Sequence, residues 1–150
     1  MTSVIHLAFD IPLAADICFQ YFTEEHLIKS WLAEDAHIVP HEGGAYELYW
    51  NLEDRAVDNT KGCVITGYCL NRMLGFTWKG PQRFSHFMNH HDPLTHVSIS
   101  FFSTTDKHTQ VHLVHSGWPQ REDWQEAKEW FEDTWKKAIE NLILQITAKS

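Results

Sequence analysis

The sequence predicts an α+β fold: a curved antiparallel sheet of about seven strands wrapped around one long C-terminal helix, with two short helices after the first strand. Two observations carry this reading. Between residues 36 and 115 the chain breaks into short β-type stretches, several of them alternating, separated by turn signals; these read as consecutive antiparallel strands. From residue 120 onward, apolar side chains instead recur at steps of three and four.

The elements follow in order. Residues 4–11 (VIHLAFDI) set Ile5, Leu7 and Phe9 against Val4 and His6, as a strand with one buried face does, and Pro12 ends it. Residues 14–22 bring Ile17, Tyr21 and Phe22 to helical spacing. Residues 24–32 repeat the pattern with Leu27, Ile28, Trp31 and Leu32, and Thr23 is expected to cap the second helix. Residues 36–39 form a short strand, and Gly43-Gly44 a tight turn. Residues 45–51 place Tyr46, Leu48 and Trp50 on one face. A polar loop leads to a strand over 61–69, whose inward face the pattern does not assign. Residues 73–78 align Leu74, Phe76 and Trp78, and Lys79-Gly80-Pro81 stops that strand. Residues 82–94 read as a loop. Residues 95–103 alternate Val97, Ile99 and Phe101 against His96, Ser98 and Ser100. After a turn at Asp106-Lys107, residues 109–115 align Val111, Leu113 and His115. Trp124, Ala127, Phe131, Trp135, Ala138, Leu142 and Ile146 then mark an amphipathic helix of more than 20 residues, with Glu122 and Asp123 at the positive end of its dipole.

The 150 residues read as one domain, without linker, repeat or low-complexity segment. Twelve basic against 20 acidic residues give a net charge of −8, which argues against nucleic acid and anionic membranes as partners. No apolar run is long enough to span a membrane, so no stable insertion is expected. The opening MTSVIHLAFD lacks a basic region followed by an apolar one, so no signal peptide is expected and the location expected is cytoplasmic. Cys18, Cys63 and Cys69 show no framework spacing. The last two would lie about 20 Å apart in one strand, so buried free thiols are expected. Seven tryptophans, nine phenylalanines and four tyrosines suggest either a dense core or an aromatic-lined cavity.

The strings GGAYELYWN (43–51), NTKGC (59–63), LGFTWKGP (74–81), DPLTHVSISF (92–101) and TQVHLVHSGW (109–118), followed by the tryptophan-rich final helix, together span nearly the whole chain. In this order they resemble the helix-grip superfamily of birch-pollen-allergen-like and START-like lipid-binding proteins. More narrowly they resemble stand-alone domains of the activator of Hsp90 ATPase homologue 1-like family. The resemblance implies a helix-grip fold and a hydrophobic cavity for a small molecule or lipid, with some relatives acting as aromatases or cyclases. Its Hsp90 link belongs to proteins carrying a further N-terminal domain, for which this chain has no room, so an Hsp90 interaction is placed low. No cofactor is expected. The chain is expected to be a monomer or a weak homodimer.

The stretch QRFSHFMNHHDPLTHVSISFF (82–102) holds His86, His90, His91, His96 and Asp92, the residue types of a metal site. His96 alternates away from the apolar face, Asp92-Pro93 is a turn, and no HExxH is present, so no metal site is expected. Phe84, Phe87 and Met88, interleaved with these histidines, fit a lid over a cavity. His115 points inward on an apolar strand face. It is most often in such places a satisfied core residue, and otherwise a polar group or general base within the cavity. Arg72, Arg83 and the acidic face Glu126, Glu129, Glu132 and Asp133 read as solvated.

Three functions follow. The first is non-catalytic binding of a hydrophobic or amphipathic small molecule in a cavity lined by Trp31, Tyr46, Trp50, Phe76, Trp78, His115, Trp118 and Phe131, with Phe84, Phe87 and Met88 as lid. The second is a cyclase-, aromatase- or hydrolase-like enzyme with His115 as acid or base. The third is a chaperone-related interaction module.

Overall fold

A computed structural model describes residues 3–149. Its elements are β1 (Ile5–Ile11), α1 (Ala15–Thr23), α2 (Glu25–Ile28), β2 (Asp35–Ile38), β3 (Tyr46–Tyr49), β4 (Ile65–Cys69), β5 (Met73–Trp78), α3 (Gln82–Met88), β6 (Thr95–Thr105), β7 (His108–Ser116) and α4 (Glu122–Ala148). The expected order of strands and helices is present, with α3 added where a loop is expected.

Five strands form one antiparallel sheet in the order β1-β7-β6-β5-β4, and β2 pairs with β3. The two pieces are stitched together. Tyr46 N–H donates to the Cys63 carbonyl at 2.9 Å, and Ile65 N–H to the Gly44 carbonyl at 2.8 Å. A single bridge joins Ala45 to Val64 and another joins Tyr49 to Asn59. Buried Thr60 completes the seam: its hydroxyl accepts from Leu48 N–H at 2.9 Å while its own N–H donates to the Leu48 carbonyl. The seven strands therefore curve as one layer, and a register shift between Ile65 and Gly67 adds to the bend. Gly44 is required at the β2–β3 turn because a Cβ there would run into the Val39 carbonyl.

The concave face is apolar because alternation sends Val97, Ile99 and Phe101 of β6 and Val111, Leu113 and His115 of β7 inward together, in register. α4 crosses this face and buries Trp124, Ala127, Phe131, Trp135, Ile139, Leu142 and Ile146. One expected stripe position is corrected: Ile139 is buried, whereas Ala138 is half-exposed. α1 closes the other end through Phe19 and Phe22, each packed edge-on against Phe101 at 5.2 and 5.4 Å. Each fully buried phenylalanine contributes roughly 1.5–3 kcal/mol of transfer free energy, so this aromatic layer is a large part of what holds helices to sheet.

Two smaller expectations are corrected. Thr23 ends α1, with its hydroxyl on the Phe19 carbonyl, and does not cap α2. Cys69 is an exposed thiol, while Cys18 and Cys63 are buried and free.

Candidate functional site

A cavity of about 490 Å³ lies between the concave face and α4, within the size range of small-molecule sites. The sheet side supplies Trp50, just after β3, and Trp78 at the end of β5, followed by Lys79, Gly80 and Pro81. Trp31 and Leu32, which follow α2, close one end, and Asp58 and Asn59 border it from the β3–β4 connection. From α4 come Trp130, Phe131, Thr134, Trp135, Lys137, Ala138 and Asn141, whose spacing lays them along one side of the helix.

Indoles dominate this wall, and most are locked by hydrogen bonds. Trp31 Nε1 donates to the Tyr21 carbonyl at 2.9 Å, and Trp50 Nε1 to the Leu32 carbonyl at 2.7 Å. Asn141 Nδ2 donates to the Trp31 carbonyl at 2.9 Å and so ties α4 to the same end. Trp135 Nε1 donates to His115 Nδ1 at 3.1 Å. Trp78 packs against Trp135 and Trp50, with ring centroids 5.3 and 5.9 Å away. Its own Nε1 is buried and has no hydrogen-bond partner. Leaving such a donor unpaired costs about 1–3 kcal/mol.

Of the residues expected to line the cavity, Trp31, Trp50, Trp78 and Phe131 are on its wall, and seven are elsewhere. Tyr46 and Phe76 fill space, stacked on each other at 4.0 Å, with Tyr46 Oη donating to the Phe22 carbonyl. Phe84, Phe87 and Met88 sit on α3, where Phe84 packs on Trp130 and Phe87 on Trp124. Phe84 and Phe87 thus hold α3 to α4 beside the cavity, and Met88 is buried next to Gly80. Trp118 stacks between His115, Phe131 and Trp124, with Nε1 on the His115 carbonyl.

His115 is also off the wall, and fully buried. Because Nδ1 accepts the Trp135 indole proton, the neutral ring carries its own proton on Nε2 and donates it to Thr95 Oγ1 at 3.0 Å. Thr95 in turn donates to the Trp78 carbonyl at 3.4 Å. Burial, with a smaller contribution from His96, lowers the His115 pKa to about 3. Both nitrogens are engaged and solvent is excluded. The residue thus fixes Trp135 in the wall, and the expectation of an acid or base facing a ligand is corrected on that ground.

His96 lies on the outer face, where Nε2 meets Thr66 Oγ1 at 2.6 Å. His91 Nδ1 meets the Pro93 carbonyl, and Asp92 is exposed. Among the described residues no three His, Cys, Asp or Glu side chains come together in a way that could hold a metal ion. Burial pushes the Cys18 thiol up to about 12 and raises Cys63 as well, so neither is a ready thiolate.

The family described as Activator of Hsp90 ATPase homolog 1-like protein has a sequence model that matches residues 13–143. The chain belongs to this family. Solved structures with the same architecture include protein MLL2253 from Mesorhizobium loti, at 19% identity and a TM-score of 0.76, covering 99% of this chain and 98% of that one. The Aha1 dimer from Colwellia psychrerythraea matches at 16% identity and a TM-score of 0.71, covering 94% and 93%. PFC0360w, an HSP90 activator from Plasmodium falciparum, matches at 16% identity and a TM-score of 0.70, covering 96% of each chain. At these identities the likeness establishes the helix-grip fold. A search of curated proteins found no match. Among the described residues no helix is long and apolar enough to cross a membrane.

Proposed function

We propose that this member of the family binds a small apolar or amphipathic molecule, without catalysis, in the cavity between the sheet and α4. The observation that carries the reading is a cavity of about 490 Å³ walled by Trp31, Trp50, Trp78, Trp130, Phe131 and Trp135. Trp31, Trp50 and Trp135 are held in place by hydrogen bonds, so that much of the wall is preorganised and adds little ordering cost to binding. The reading is non-catalytic because the inward histidine is sealed and spent on structural bonds, and the buried thiols are held protonated.

The test is a thermal-shift screen of lipids and aromatic metabolites. A ligand at 100 times its dissociation constant stabilises the fold by about 2.7 kcal/mol, which for a domain of this size raises Tm by roughly 5–10 °C. A screen in which no apolar compound raises Tm overturns the reading.

A further inference from the structure

The Trp78 indole carries a consequence for what the cavity takes. Among the described residues its Nε1 is the one buried side-chain nitrogen or oxygen without a hydrogen-bond partner. Trp31, Trp50, Trp118 and Trp135 each donate to a fixed acceptor inside the protein. Trp78 does not, although its ring is only 3% exposed and forms part of the wall. Buried donors are almost always satisfied, by protein, water or ligand. A donor left over on a residue of an apolar cavity wall is therefore a place for an acceptor that arrives with the occupant.

The charged groups near the cavity narrow the class. Lys79 Nζ donates to the Lys61 carbonyl at 2.6 Å, and Lys137 pairs with Asp133 at 2.9 Å. Asp58 accepts from Gln82 N–H at 2.8 Å and adds a negative charge to the wall. Both lysines already hold a partner at the edge of the cavity, and the uncharged indole N–H suits a neutral oxygen. Trp50, Trp78, Trp130 and Trp135 give this wall a run of ring faces and edges, which suits a flat aromatic partner.

Resting on the cavity-binding reading, we infer that the ligand is a flat, neutral ring compound whose carbonyl-type oxygen accepts a hydrogen bond from Trp78 Nε1. The nitrogen itself is covered in this structure. The indole tilts toward the open side as the ligand enters, and Trp78 thereby sets specificity for an acceptor over a plain hydrocarbon.

The probes are 2-acetylnaphthalene, its near-isostere 2-isopropylnaphthalene, and 2-naphthoate, titrated into wild-type protein and the Trp78→Phe variant. Wild type should bind the ketone about tenfold more tightly than the hydrocarbon, as one hydrogen bond to an otherwise orphaned donor supplies, and more tightly than the carboxylate. In Trp78→Phe the ketone and hydrocarbon should bind equally. In the wild type labelled with ¹⁵N on its indoles, the ketone but not the hydrocarbon should move one N–H resonance downfield. That measurement decides the matter even if Trp78→Phe fails to fold. Equal affinities for ketone and hydrocarbon in the wild type, with no indole resonance singled out, overturn the inference and leave the cavity reading intact. So does preference for the carboxylate. Absence of binding by any of the three, with no other apolar ligand found, removes both.

Discussion

His115 sits where a spacing argument meets its limit. Alternation in TQVHLVH was enough to turn its ring inward beside Val111 and Leu113, and the structure places it there with no exposed surface. What alternation could not supply was its partners. Thr95 lies 20 residues upstream and Trp135 lies 20 downstream, on other elements, and they take both ring nitrogens. The pH consequence follows. The folded pKa is lowered to about 3, while an unfolded histidine titrates near 6.5. As pH falls below about 6.5 the unfolded chain takes up the proton first, so this group's contribution is full above 6.5 and is lost progressively down to about 3. His115→Leu should therefore lower stability at pH 7 by about 2 kcal/mol, since the Trp135 N–H loses its acceptor. It should also flatten the dependence on pH between 4 and 6 by on the order of 1 kcal/mol per pH unit. Urea denaturation of both proteins across that range checks this; parallel slopes would show that His115 titrates as an ordinary histidine.

At the scale of elements, α3 and the cavity side of α4 are where the structure departs from the sequence pattern. In QRFSHFM the residues Phe84, Phe87 and Met88 stand at i, i+3 and i+4, a legible helical signal. His86 stands among them and His90 and His91 follow, so the same stretch also carries the residue types of a metal site. The ends of α3 were not legible, because its tethers come from elsewhere. Asp58 accepts from the Gln82 N–H at the start, and Asn89 clasps Gly80 at the end, accepting from its N–H at 2.7 Å and donating to its carbonyl at 3.1 Å. Asn89→Ala breaks both arms of that clasp. It should destabilise α3 by about 1–2 kcal/mol and increase amide exchange over residues 80–89 while exchange in β6 and β7 is unchanged. Uniform exchange across the chain would show that α3 does not open separately. On α4, Thr134, Lys137 and Asn141 were hidden for a different reason: polar residues on a helix read as solvated, and only the third dimension shows them at a cavity edge.

For the whole molecule, the order of strands and helices and the apolar faces were legible because alternation and helical periodicity are local properties. The size of the gap between layers is not local. It depends on whether Tyr46, Phe76 and Trp118 fill space or border it, and they fill it by stacking on one another and on His115. The space that remains lies beside the connection from β3 to β4, where the sheet is held by single bridges, and α4 faces it with a small residue, Ala138. Adding a ring there should occupy the space the ligand needs without disturbing the buried stripe around Ile139 and Leu142. The most direct test is therefore titration of 2-acetylnaphthalene into wild-type protein and Ala138→Phe, with melting followed in parallel. Wild type should show one saturable site and a rise in Tm, and the variant should keep the fold and lose at least about tenfold in affinity, or 1.4 kcal/mol. Equal binding by both proteins, or none by the wild type, would contradict the account.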